Sequence, residues 1–320
     1  MGSDEMVDVI IILAFISAIF MGIAVGATPV PSAFGPVTSS GVTGVLKAAL
    51  LGGIAACIGA IVQGGRVSAT IGENMIFGSI SPLQAFVILL VASVLVIISV
   101  LTKYPMPTAF TVVGSVIGSA LSFGDGIRWG TIQLIIGYWA LVPIFAIVMG
   151  FGISWLLVKY IPKKESKKMV QYLTFIMALF LAYTAGANSV GKAVGPLMPF
   201  GYNTTLLLAL GGFSILVGAW ILAPKIIDAV SFEYSNMGPR RSIAALGSAA
   251  FLAQIGVFLG VPISFAQATI AATIGSGLVV GKSGVGKKKI TITILAWVSA
   301  FFIAIGVAFL LGNLFQLILG

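Results

Sequence analysis

The stretch GATPVPSAFGP (Gly26–Pro36) returns 160 residues later as GANSVGKAVGP (Gly186–Pro196), with six of the eleven positions identical. Both copies lie in strongly apolar sequence, where glycine, proline and small polar residues interrupt a helix. Inside a bilayer, such a break persists only where it faces protein or a watery cavity. A matched pair of breaks in two halves of a chain indicates the binding site of a transporter. We therefore expect a break at each copy, followed by a short apolar helix over 29–39 and over 189–200.

Composition places most of the chain in lipid. The 320 residues are 59% hydrophobic and 8% charged, with a mean hydropathy of +1.17, whereas soluble domains carry about 25% charged residues. Apolar runs of membrane-spanning length recur at 7–26, 42–63, 84–102, 131–158, 170–187, 204–222, 244–261 and 289–317. Shorter apolar pieces lie at 29–39, 106–122, 189–200 and 263–281. These runs predict an all-α polytopic membrane protein of about 10 to 12 helical segments, some of them broken helices or re-entrant hairpins.

Several classes of function are excluded by residue type. The chain contains no histidine and one cysteine, Cys57, which excludes Ser-His-Asp chemistry, histidine-ligated metals and an intramolecular disulfide. We expect no enzyme activity, no cofactor and no metal site. The net charge of +9 resides mainly in short loops, as the positive-inside rule describes for cytoplasmic loops, so we expect no nucleic-acid partner.

The repeat extends beyond the two motif copies. Pro105–Thr111 aligns with Pro262–Ala268 at an offset of 157, and Trp139 aligns with Trp297 at an offset of 158. Arg66 aligns in the same way with Lys225, at an offset of 159. These offsets divide the chain into a first repeat, 1–160, a basic linker, 161–169, and a second repeat, 170–320.

Loop charge predicts that the repeats are inverted. Residues 159–168 contain five lysines and one glutamate, net +4, whereas the N-terminus carries Asp4, Glu5 and Asp8, net −3. The loop at 282–289 contains four lysines, while the equivalent loop of the first half balances Asp125 with Arg128. Equivalent loops thus have opposite bias, which predicts opposite orientations in a cell membrane. The N-terminus is expected outside and the 159–168 loop in the cytoplasm.

Broken helices suit an anion, because the first N–H groups of a helix and its positive dipole end attract negative charge. An ionisable residue at membrane depth, here Lys192, is a further functional signal. The expected substrate-binding residues are Gly26, Ala27, Thr28, Ser32, Thr108, Thr111, Gly186, Asn188, Ser189, Lys192, Ser264 and Gln267. The alternatives are that the hydroxyl residues only pack between helices and that Lys192 extends to the membrane interface.

These motifs resemble the inorganic phosphate transporter (PiT) family. The family carries Gly-Ala-Asn-Asp-Val-Ala-Asn-Ala in both halves, which is similar to Gly186–Ala193, and a Pro-Val-Ser-Thr-Thr-Gln block similar to Pro262–Gln267. Its Gly-Gly-Arg-Val segment is similar to Gly64–Val67, and its Ala-Trp helix is similar to the one at Ala296-Trp297. The resemblance implies cation-coupled uptake of phosphate, an anion held between half-helix ends, and often a homodimer.

The chain departs from the family motif where the resemblance places cation coupling. The motif aspartate is replaced by Pro29 in one half and by Ser189 in the other, and Lys192 takes the place of an asparagine. Asp228 keeps a family carboxylate in the second half and is the candidate coupling residue. A site with donors and a lysine resembles the sulfate permease branch of the family, and it favours a proton over sodium as the coupling ion.

The sequence therefore predicts a secondary-active transporter of phosphate or sulfate that works by alternating access. The alternative is an oxyanion-selective channel without cation coupling, which would conduct without saturable counterflow.

Overall fold

A computed structural model describes residues 3–102, 107–161, 167–235, 238–279, 281 and 287–319. Helices make up almost all of this part of the chain. In order they are α1 (Ser3–Gly26), α2 (Pro29–Ser39), α3 (Val45–Gln63), α4 (Gly65–Glu73), α5 (Pro82–Thr102), α6 (Thr108–Phe123), α7 (Trp129–Tyr160), α8 (Lys167–Val194), a 3₁₀ segment (Gly195–Phe200), α9 (Thr204–Ser235), α10 (Pro239–Phe258), α11 (Phe265–Leu278) and α12 (Lys287–Leu319). The predicted all-α fold is confirmed.

Eight of the described segments are long and apolar enough to cross a membrane. They coincide with the eight apolar runs found in the sequence, and two of them combine a long helix with the short one after it: Glu5–Ser39 and Lys168–Phe200. The chain is therefore a multi-pass membrane protein.

The first motif copy breaks its helix as predicted. α1 ends at Gly26 and α2 begins at Pro29, with bounds of 29–39 as expected. Pro29 and Pro31 have no N–H to donate, and a proline ring collides with the carbonyl four residues earlier. Thr28 closes the break, because both its N–H and its hydroxyl donate to the carbonyl of Val25, at 3.1 and 2.9 Å.

The second motif copy does not break its helix, and the prediction of a half-helix over 189–200 was wrong. α8 continues through the motif to Val194, and only Gly195–Phe200 forms a separate 3₁₀ segment. The reason is that this copy has no proline before Pro196. Its first glycine serves packing instead, since a Cβ on Gly186 would collide with the carbonyl oxygen of Ala56 on α3.

Two helical hairpins accompany the long helices. In the first hairpin (α5 and α6), the start of α5 lies close to the end of α6. There Gln84 Nε2 donates to Asp125 Oδ2 at 2.7 Å, and an isolated antiparallel β-bridge pairs Ile76 with Ile127. In the second hairpin, α10 and α11 are joined by the turn 259–264. The first hairpin packs through α6 on α12, the last helix of the chain. The second hairpin packs through α11 on α7, the long helix before the basic linker.

The close helix contacts occur in equivalent pairs. A Cβ on Gly26 would collide with the carbonyl of Ile215, where α1 meets α9, just as one on Gly186 would collide with that of Ala56, where α8 meets α3. These contacts join positions that the 160-residue offset relates. Both contacts therefore join the first half of the chain to the second.

Trp139 and its repeat counterpart Trp297 provide a matched test of packing. The Trp139 indole N–H donates to the buried carbonyl of Pro262 at 2.7 Å, and its ring stacks on Phe110 with 3.8 Å between centroids. The Trp297 indole nitrogen is buried with no hydrogen-bond partner in the described structure.

We expect Trp139→Phe to lower the free energy of unfolding by about 1–3 kcal/mol, because it leaves the Pro262 carbonyl unpaired. Trp297→Phe removes no hydrogen bond and should change stability little. Thermal unfolding of both variants in detergent checks this, and equal shifts would contradict it.

Candidate functional site

A cavity of about 40 Å³ lies where the two motif copies meet. Its lining residues come from α2, α8 and the starts of both hairpins' second helices: Thr28, Pro29, Pro107, Thr108, Ser189, Ser264, Phe265 and Ala266. Most of them are buried, whereas Thr28 is partly exposed and Ala266 is exposed, so these two mark the open side. The volume holds about three water-sized spheres, which suits a ligand of a few heavy atoms.

Three helices begin at this cavity. The first residues of α2, α6 and α11 (Pro29, Thr108 and Phe265) are all among its lining residues. The first N–H groups of a helix have no acceptor within the helix, and its N-terminus carries about half a positive charge. At α2, where Pro29 and Pro31 have no N–H, the helix end contributes mainly through its dipole. Three such ends converging on one small cavity produce a positive potential before any side chain is counted.

Lys192 places a side-chain amine, which can carry a positive charge, behind the cavity wall. Its side chain is 0% exposed, and Nζ donates to the Ile263 carbonyl at 3.0 Å, to Thr108 Oγ1 at 3.2 Å and to Ser189 Oγ at 3.5 Å. Nζ also lies 5.6 Å from the centroid of the Phe265 ring. The lysine thus points into the protein at the candidate site, and it does not extend to a membrane interface.

These contacts orient the hydroxyl groups of the lining. A hydroxyl has one proton to donate and lone pairs to accept with. Thr108 and Ser189 accept from Lys192, and Ser264 Oγ accepts from the N–H of Gln267 at 3.3 Å, which leaves their own protons available to a ligand. Thr28 is the exception, because its hydroxyl already donates to Val25.

Two predicted binding residues, Asn188 and Gln267, bond to backbone groups and do not line the cavity. Asn188 donates to the Val261 carbonyl at 2.7 Å and accepts from the Ile263 N–H at 3.0 Å. Gln267 Nε2 donates to the Trp139 carbonyl at 2.9 Å. Asn188 thereby fixes the backbone that presents the Ile263 carbonyl to the site, whereas Gln267 ties the start of α11 to α7.

The remaining predicted residues lie around the cavity in other roles. The Thr111 hydroxyl donates to the Thr108 carbonyl at 2.9 Å, while Gly26, Ala27 and Gly186 are buried at the helix break or in helix contacts. Ser32 is partly buried on α2 and is outside the cavity lining. The side chain of Asp228 falls outside the described side chains.

The sequence did not predict a cluster of polar side chains that lies at the start of the turn 259–264, next to Phe258. Arg66 donates to the Phe258 carbonyl at 2.6 Å, and both residues line a second cavity of about 260 Å³. Next to it, Gln254 Nε2 donates to Gln63 Oε1 at 2.8 Å and its carbonyl accepts from Thr184 at 3.2 Å. An isolated glutamine within an apolar helix is the signal that could have found this group.

The described part of the site has no acidic component. The three acceptors of Lys192 are a carbonyl and two hydroxyls, and no group of three His, Cys, Asp or Glu residues that could hold a metal occurs among the residues searched. The arrangement offers hydrogen-bond donors and positive charge, which is the chemistry that binds an anion.

Comparison with known proteins gives relatives along almost the whole chain. Sulfate permease CysP of Bacillus subtilis is 27% identical over 312 residues, covering 94% of this chain and 87% of that protein. A putative phosphate permease of Chlamydia pneumoniae is 24% identical over 402 residues, covering 90% and 94% respectively.

A solved structure, described as the sodium-dependent phosphate transporter, has the same fold. It superposes with a TM-score of 0.84 at 20% identity, over 97% of this chain and 100% of that one. The profile of the phosphate transporter family matches residues 25–170 and 159–308. Because these two matches include both motif copies, both hairpins and most of the remaining helices, the chain belongs to the phosphate transporter family.

Proposed function

We propose that the protein is a secondary-active transporter of a fully deprotonated, tetrahedral inorganic oxyanion, with sulfate as its substrate, and that it is driven by protons in preference to sodium. The observation that carries this proposal is the cavity shared by three helix N-termini and by two hydroxyls that accept from Lys192. Its acceptors are few, and no described carboxylate contacts it.

The arrangement of donors supports sulfate over phosphate. Sulfate carries two negative charges and no proton, so it accepts hydrogen bonds only. Phosphate near neutrality often carries a proton, which needs an acceptor. Thr108, Ser189 and Ser264 offer protons, and a buried donor that meets no acceptor loses much of its hydrogen-bond energy. The hydroxyl of Thr28 already donates to Val25, so it can only accept from a ligand.

The named relatives include proteins described for each of the two anions, sulfate and phosphate. One is called a sulfate permease and another a putative phosphate permease, so both anions belong in the test. The structural neighbour is described as sodium-dependent, which makes sodium the main competing driver. One feature argues against sodium: Pro29 and Ser189 stand where the family motif has aspartates, so two negative charges are absent. Bringing a cation into a site of low dielectric is costly without a compensating charge.

Alternating access fits a small cavity held between two hairpins. We infer that the halves are inverted repeats, with the N-terminus outside and the 159–168 loop in the cytoplasm, and that the two hairpins open the cavity to opposite sides in turn. Single cysteines in the N-terminal segment and the linker, introduced in a Cys57→Ala background, should react with an impermeant thiol reagent from opposite sides of the membrane.

Uptake by proteoliposomes tests the function. Purified protein is reconstituted, and uptake of labelled sulfate and of labelled phosphate is measured with an inward proton gradient, an inward sodium gradient, or neither. We expect saturable sulfate uptake that the proton gradient accelerates and that sodium leaves unchanged. Uptake that rises steeply with sodium and ignores the proton gradient would overturn the proposed coupling. Conductance without saturable counterflow would indicate a channel.

We further expect selectivity among oxyanions to follow protonation. Unlabelled selenate, a dianion without a proton near neutral pH, should compete with labelled sulfate about as well as sulfate does. Phosphate should compete at least about tenfold more weakly at neutral pH, the equivalent of one mismatched hydrogen bond of about 1.4 kcal/mol. Equal competition by phosphate and selenate would show that the donors do not select against a protonated anion.

A further inference from the structure

We propose that Lys192 carries the coupling proton: its ammonium group occupies a cation position built from carbonyl and hydroxyl oxygens, is protonated while the anion is bound, and gives up that proton when the anion leaves. This inference rests on the proposed function. It identifies the ion-coupling residue of that site, which sequence reasoning assigned to Asp228.

The surroundings of Lys192 Nζ resemble a site for a small cation. The Ile263 carbonyl, Thr108 Oγ1 and Ser189 Oγ approach it at 3.0, 3.2 and 3.5 Å, and the Phe265 ring adds a weak cation–π contact at 5.6 Å. Oxygen ligands of this kind are the ones that a hard cation takes in proteins. Here the cation is part of the chain.

No described acid neutralises this ammonium. α2, α6 and α11, whose first residues surround the cavity, contain no Asp, Glu, Lys, Arg, Cys or Tyr. The other described charged or titratable side chains on α8 and on the helices packed against it are Glu5 and Asp8 on α1, Lys47 and Cys57 on α3, Arg66 and Glu73 on α4, Lys168, Tyr172 and Tyr183 on α8, Lys225 on α9, and Arg240 and Arg241 on α10. The hydrogen bonds of Nζ go to neutral groups alone.

An ammonium in such a place depends on the anion for its stability. Burying an unpaired charge is costly, and a group in that position loses its charge unless a partner compensates it. A dianion in the cavity lies one hydroxyl away from Nζ, on the far side of Thr108 and Ser189. Binding of the anion and protonation of the lysine therefore favour each other, and this mutual dependence is what couples two transported species.

The proton balance follows from this dependence. With the anion bound, Lys192 is –NH₃⁺ and makes its three hydrogen bonds. When the cavity opens and the anion leaves, –NH₃⁺ releases one proton to the entering water and becomes –NH₂. The neutral amine keeps two N–H donors, enough for Ile263 and Thr108. One proton thus accompanies each anion through Lys192.

Substitution by arginine tests the proposal, because a guanidinium keeps its positive charge but cannot be deprotonated in a protein. Binding of labelled sulfate to purified protein is measured across a range of pH for wild type, Lys192→Arg and, as a matched control, the exposed Lys47→Met. We expect wild type and Lys47→Met to lose affinity as the pH rises, by up to about tenfold per pH unit, the limit for one linked proton. Lys192→Arg should bind more weakly than wild type but with no dependence on pH. A pH dependence in Lys192→Arg equal to that of wild type would overturn the proposal.

A second measurement needs no variant. Sulfate is added to wild-type protein in weakly buffered solution, and the proton change is read with a pH indicator. We expect uptake of protons from solution on sulfate binding, none with chloride, and the same uptake in Asp228→Asn. Sulfate binding without proton uptake would overturn the inference about Lys192 and leave the anion site standing. Failure of wild type to bind or transport sulfate would overturn the proposed function itself.

Discussion

Lys192→Met is expected to weaken sulfate binding by about 10- to 150-fold, the equivalent of the 1.5–3 kcal/mol that a hydrogen bond to a charged group contributes. Methionine has a similar length and fills the same buried space without charge. The variant loses the ammonium that turns the protons of Thr108 and Ser189 toward the cavity, so both the charge and the orientation of two donors are affected. Titration of labelled sulfate onto purified protein measures the change.

Lys192→Met is expected to have a different effect on the stability of the protein without sulfate. Replacing a buried amine that has no acidic partner by an apolar side chain of similar length should leave the fold as stable or make it more stable. Sulfate should no longer raise the unfolding temperature of the variant, since ligands stabilise only the state that binds them. Lys47→Met, which removes an exposed lysine from the start of α3, serves as control and should keep the wild-type response to sulfate. A Lys192→Met protein that binds sulfate like wild type would contradict the site.

Gly186→Ala is expected to lower the free energy of unfolding strongly. The added Cβ would collide with the carbonyl oxygen of Ala56, and the neighbouring Ala56 carbon atoms also lie too close. Because the obstacle is the backbone of α3, no side chain can rotate away, and α8 and α3 must move apart. Overpacking of a core costs about 1–3 kcal/mol and occasionally more, so a large loss of folded protein is expected.

Gly137→Ala is the matched control for this prediction. Gly137 lies within α7, and no atom lies within reach of a Cβ added there. Alanine is a better helix former than glycine by about 1 kcal/mol, so this variant should be neutral or slightly more stable. The yield of monodisperse protein in detergent and its thermal unfolding compare the two variants. Equal behaviour would show that the close approach of α8 and α3 does not constrain the fold.

The sequence by itself determined the class of the protein and the neighbourhood of its site. Apolar runs of membrane-spanning length predicted the eight long segments, because lipid requires about twenty apolar residues to cross it. The bounds of α2 also followed from sequence, since Pro29 and Pro31 end one helix and start the next by local chemistry alone. The repeated motif and the aligned blocks at Pro105 and Pro262 predicted a candidate site, and four of the predicted residues line one cavity: Thr28, Thr108, Ser189 and Ser264.

Only the tertiary structure decided what each residue does there. The sequence predicted a helix break at Gly186, yet Gly186 lies inside a continuous helix, where it lets α3 approach more closely than any side chain would permit. Asn188 and Gln267 carry suitable donors for an anion, but their partners are carbonyls of a turn and of α7, far away in sequence. Whether Lys192 reached the membrane interface or the interior depended on oxygen atoms supplied by α6 and by residue 263. These contacts join residues that are 71 to 128 positions apart in the sequence. Local sequence does not predict them, because they are set by tertiary packing and not by local propensity.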